Sequence, residues 1–187
     1  KYILCRIFFA GHLPGVGLYA VYCQTKFNFA VSEAGIFTIL NVIAAGSASF
    51  AAGKLGDKFG HKTSMMLAYL GHFIAVLLAI FAQNMFWVYG IFMAIGIGQG
   101  AFMPSAMNLV YDFAAERDTK TYMALVDSFL APFVLLFIMG IGALIRVGNY
   151  TTSLYILGTS IILGMLILQF IVRDPKHSAE IVFHVDG

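Results

Sequence analysis

The chain has 187 residues, 60% of them hydrophobic and only 11% charged, with a formal net charge of +2. A water-soluble domain carries about 25% charged residues, so this composition cannot cover a water-facing surface, and so small a net charge gives no sign of a nucleic-acid partner. Apolar runs of about 20 residues, long enough to cross a bilayer, recur from end to end, which makes the chain an all-α, polytopic membrane protein.

Six spans are expected, over 3–22, 34–53, 63–82, 86–111, 119–145 and 152–172, forming one transmembrane unit (1–172) followed by a cytoplasmic tail (173–187). None of these runs alternates apolar and polar residues, as the strands of a membrane barrel do. The first is too long for a secretory signal and lacks a small-residue cleavage site. The chain starts at Lys1 without Met and enters this span within a few residues, as a piece of a longer polypeptide would.

Ionisable groups inside a span are costly and therefore functional suspects. In the first span Arg6 lies one turn in, and its long stem is expected to snorkel to the headgroups. His12 sits mid-span with Cys5 and Tyr19 seven residues to either side, a polar stripe beside an expected kink at Pro14. Cys5 and Cys23 lie about 27 Å apart along a helix, too far to form a disulfide. The second span carries Asn41 and a small-residue face, with Ala44, Ala48 and Ala52, and also Ala45, Ser49 and Gly53, at four-residue spacing. Such faces admit close helix approach.

"GKLGDKFGHK", residues 53–62, follows as a turn into the third span, which carries His72; Gly56 and Gly60 are read as its flexible points. The fourth span has Gly96, Gly98 and Gly100, then Pro104, and is expected to be tightly packed and kinked. Gln99 lies among these glycines and Asp112 closes the span. In the fifth, Asp127 stands seven residues after Lys120, on the same face but too far for a direct pair, so water or another helix must complete the contact. With loops alternating between faces, Lys1, Lys54, Lys58, Lys62, Arg117, Lys120, Arg173 and Lys176 fall on one side; Lys26 and Arg146 fall on the other. Eight against two puts both termini and the decapeptide in the cytoplasm.

The decapeptide resembles the signature of the major facilitator superfamily, G-x-x-x-D-[RK]-x-G-[RK]-[RK], which lies between the second and third helices of each six-helix half. Gly53, Asp57, Lys58, Gly60 and Lys62 match it, and His61 stands where Arg or Lys is usual. The resemblance implies one six-helix half, with a second half in the same chain. The tail beginning "RDPKH", and "LVYDFAAERDTKTYMALVDSFLAP" as the loop between the tenth and eleventh helices, favour the C-terminal half, although an N-terminal half has a similar pattern. It also implies a bacterial inner membrane, and a cavity lined by the first and fourth helices, with His12, Tyr19 and Gln99 as substrate contacts and Asn41 and His72 as weaker ones. Gly53, Asp57, Lys58, Gly60, His61, Lys62 and Asp112 would form a conformational latch, Asp57 resting at the N-terminus of the partner half's fifth helix.

The expected function is therefore secondary transport of a small solute by alternating access, coupled to an ion or proton gradient. Asp127 and Lys120 are candidates for the proton site or the cytoplasmic gate. The rival reading is a non-transporting scaffold or assembly subunit. Catalytic and metal residues, and cofactors, are not expected: no Cys/His cluster has zinc spacing, no serine has a His and acid partner, and "GIGQG" lies inside a span rather than between a strand and a helix.

Overall fold

The computed structural model describes residues 1–114 and 119–172, and these form an all-helical bundle. The tail 173–187 and the expected cytoplasmic cations Arg117, Arg173 and Lys176 lie outside the described residues. The helices are α1 (Tyr2–Phe9), α2 (His12–Phe27), α3 (Val31–Phe59), α4 (His61–Phe81), α5 (Met85–Ala114), α6 (Thr119–Arg146) and α7 (Tyr150–Phe170). Five of them, α3 to α7, are each long and apolar enough to cross a membrane.

The first expected span is not one helix but two. Proline has no N–H to give, so the carbonyl of Ala10, four residues before Pro14, loses its helical donor, and the chain breaks there. The Ala10 N–H instead donates to the Ile7 carbonyl, and the Leu13 N–H to that of Ala10, both three residues back. The break thus sits one turn before the proline that causes it. In α5, by contrast, the helix runs on through Pro104.

The decapeptide is also reassigned. Rather than a loop, it is mostly the last turns of α3, and the reversal into α4 happens at Gly60 alone. Gly60 has φ 89° and ψ 149°, a region open in practice only to glycine. Gly56 is helical and serves close packing: a Cβ there would run into the ring of His61. The other ends are capped as their residues suggest. Glu33 accepts from the Ala30 N–H (2.8 Å), Asn84 from Phe86 (3.1 Å) and Asn149 from Thr152 (3.3 Å).

The alternate glycines of α5 divide between two neighbours. Gly96 and Gly100, four residues apart, face α3, where a Cβ would strike the backbones of Asn41 and Ala45. Gly98, on the opposite side, lies under the His72 ring of α4 and beside Gly71. Ala44, Ala48 and Ala52 are buried. The small-residue stripe of α3 therefore packs on α5 of this same bundle. Ile39, Val42, Ile43 and Phe50, on the other side of α3, are exposed. In the most apolar stretches of α3 and α6 only 17% and 11% of residues are buried, against 44% to 50% in α4, α5 and α7. These two helices are the open sides of the bundle.

Candidate functional site

The break between α1 and α2 brings rings and charges together. Phe9 stacks on His12 (centroids 4.4 Å apart) and on Tyr69 (4.0 Å), and Phe102 of α5 lies against both Phe9 (5.2 Å) and His12 (4.7 Å). The free carbonyl of Phe9 is taken by His12 Nδ1 at 2.7 Å. A carbonyl only accepts, so Nδ1 carries the hydrogen and the imidazole is fixed by the break itself. His72 stands 5.1 Å from His12, centroid to centroid. Tyr69 donates to the Cys5 carbonyl (2.9 Å) and Tyr2 to that of Ala106 (3.2 Å), which ties α1 to α4 and α5.

Arg6 does not snorkel. Its guanidinium turns inward, donating through Nη1 to the Tyr2 hydroxyl at 3.0 Å, and sits over the Phe102 ring at 4.9 Å. Nη2 lies 3.8 Å from Asp127 Oδ1, so the helix that meets Asp127 is α1. The two ends of this pair differ: the Arg6 side chain is 13% exposed and that of Asp127 68%. Beside them opens a groove of about 440 Å³, lined by Arg6, His12, Phe102 and Asp127 together with aliphatic side chains of α2 and α6. Arrangements of this kind, concave and mostly apolar with a few converging polar groups, hold small molecules.

Of the cavity residues expected from the sequence, His12 lines the groove. Tyr19 is buried at 1% exposure. Asn41 donates to the Phe92 carbonyl (3.1 Å) in the α3–α5 seam, Gln99 is half-buried on α5, and His72 is enclosed between α4 and α5. Two residues of the groove were not anticipated, Phe102 and the inward Arg6. The spacing of Tyr2 and Arg6, one helical turn apart, was the available signal for the second. Cys5 and Cys23 are both free and buried.

Beside the Gly60 hinge, Lys62 donates to the carbonyls of Gln169 (2.8 Å) and Val172 (2.7 Å) at the end of α7. Ser64 donates to Ala52 (2.6 Å), which closes the Gly60 hinge. Asp57, Lys58 and Lys120 lie on exposed surface, Gly53 and His61 are half-buried, and Asp112 is half-buried at the end of α5.

The Major Facilitator Superfamily model matches residues 4–183. A curated relative, the niacin transporter NiaP of Acinetobacter baylyi, is 26% identical over 98 residues, which is 52% of this chain and 22% of the relative. The chain's match thus spans about a fifth of that protein's length. With a match over nearly its whole length and a bundle of apolar helices, the chain belongs to the major facilitator superfamily.

Proposed function

We propose that this chain is one six-helix half of a secondary transporter, in which α1 with α2 counts as the first crossing and a second half completes the pathway. The observation that carries the reading is a charged pair and a histidine in a groove next to a helix, α6, whose apolar face is left open. A protein that only needed to sit in lipid would gain nothing from placing an arginine and an aspartate there, since each costs free energy at membrane depth. The open faces of α3 and α6 suit a second half that rocks against this one about a shared site. On this reading the solute is small, transport is driven by a proton or another ion, the membrane is a bacterial inner membrane and the chain ends face the cytoplasm. Asp127, with Lys120 a turn or two before it, serves the coupling ion or the gate.

The test is a thermal-stabilisation screen of the complete protein followed by uptake of each hit into proteoliposomes under an imposed pH gradient. Ligand bound to the folded state raises stability by mass action. Niacin, the solute in the relative's name, belongs in the first plate. Gradient-driven uptake of a stabilising solute is the expected result. No uptake, with a different membrane protein co-purifying stoichiometrically, would instead establish the scaffold reading.

A further inference from the structure

The groove contains a choice of charge, and the geometry favours one answer. Arg6 is held without help from Asp127: one N–H is on the Tyr2 hydroxyl and the guanidinium rests on Phe102. Asp127 is the loose partner, 68% exposed, and its 3.8 Å separation from Arg6 exceeds the ~2.7–2.9 Å of a closed charge-assisted hydrogen bond. A planar guanidinium has five N–H donors arranged to take a carboxylate two bonds at a time. Arg6 is thus a fixed, largely buried cation whose counterion is an exposed, loosely held carboxylate that can be displaced.

We propose that Arg6 binds the carboxylate of a small organic monocarboxylate, which displaces Asp127 while its apolar body lies in the groove over Phe102. This rests on the transporter reading above and names its substrate class. A cationic ligand drawn to Asp127 would approach the positive charge of Arg6 and strip that buried charge of its compensation. A neutral ligand would leave the existing pair in place. Only an anion replaces what it removes. The body is apolar because the walls are: Leu13, Leu130, Val134 and Leu135 among others, with His12 as the remaining polar lining residue. Arg6 is the one Lys or Arg among those lining residues, which suits a single carboxylate rather than two. A volume of about 440 Å³ limits the ligand to a small one.

Calorimetry on the complete purified protein tests this with benzoate and hexanoate as carboxylates, benzamide as a neutral shape match and benzylamine as a cation. Both carboxylates should bind, and the amide and amine should not. Asp127→Asn removes the competing carboxylate from an exposed position, so the variant should fold and bind benzoate about two- to fivefold more tightly, the equivalent of a weak exposed ion pair. Arg6→Lys keeps the charge but loses the planar fork, and should bind at least about tenfold more weakly. Benzylamine binding that Asp127→Asn abolishes would overturn the proposal, as would the absence of binding by either carboxylate, or unchanged benzoate binding in Arg6→Lys. Uptake of some other solute with no carboxylate binding would sink this inference and leave the transporter reading standing. Carboxylate binding through Arg6 without uptake would do the reverse.

Discussion

Arg6 Nη2 and Asp127 Oδ1 stand 3.8 Å apart, yet one side chain is 13% exposed and the other 68%. The pair is therefore unequal in what it does for the fold. Arg6 also bonds Tyr2 and covers Phe102, whereas Asp127 is left uncovered by the bundle on most of its surface. A pair this open, with one partner exposed, is worth about 0.2–1 kcal/mol. Asp127→Asn is expected to change the stability of the bundle by no more than this. Arg6→Ala should cost about 1–3 kcal/mol, because it leaves buried polar and aromatic partners uncovered. Thermal unfolding in detergent compares the two. Equal losses would mean that the aspartate anchors α6 to α1.

The α3–α5 seam depends on two glycines whose neighbours are backbone and cannot rotate away. A Cβ at Gly100 would lie 2.6 Å from the Ala45 carbonyl carbon and 2.7 Å from its Cα. Gly100→Ala should therefore force the helices apart at about 1–3 kcal/mol, the usual range for overpacking. Gly140 on α6 has nothing within 4 Å of the corresponding position. There the same change should leave this bundle as stable or slightly more so, since alanine is the better helix former by up to about 1 kcal/mol. Loss of stability at both positions would show that the cost is not specific to the seam.

The spans were readable because a bilayer demands about 20 apolar residues per crossing, and the last three observed boundaries fall within three residues of those expected. The glycines of α5 were also legible as a packing signal, since residues 96 and 100 share a face that 98 does not. What sequence could not supply was the choice of neighbour. The Ala44, Ala48 and Ala52 stripe says that something comes close, and the bundle shows that it is α5. Hydrophobic pattern failed at the decapeptide, because charged residues that end a span do not end a helix: α3 continues to Phe59 beyond its apolar run. Arg6 was misread because a lone arginine near a span end satisfies both snorkelling and an inward contact, and only the positions of Tyr2, Phe102 and Asp127 separate them.

The eight-to-two division of cations predicts that the α3–α4 hinge faces the cytoplasm and the α2–α3 turn faces out. Asn28, at the end of α2, has φ 47° and sits in that second turn. Single cysteines at positions 28 and 58, in the complete protein in intact cells, should differ toward a membrane-impermeant thiol reagent. Position 28 should react from outside and position 58 only after the membrane is opened. The opposite pattern would reverse the orientation and with it any cytoplasmic role for the Gly60 hinge.

That hinge combines residues whose backbone and contacts build it with an acid whose helix position works against it. Gly60 holds a backbone conformation closed to other residues, so Gly60→Ala should cost about 1–3 kcal/mol. Lys62 covers two carbonyls at the end of α7, and Lys62→Ala should destabilise that end by about 0.5–2 kcal/mol, the loss of charge-assisted hydrogen bonds at a partly exposed site. Asp57 is different. It lies in the last turn of α3, where an acid opposes the negative end of the helix dipole by about 0.3–1 kcal/mol. Through the dipole alone, Asp57→Asn should favour α3 by no more than this. If the acid instead serves as a latch against a second half, its loss appears in conformation rather than in melting. Spin labels on the two halves of the complete protein should then show populations moving from outward-open toward inward-open. A destabilised Asp57→Asn variant with unchanged distances would assign the acid to the turn and remove the latch from the mechanism.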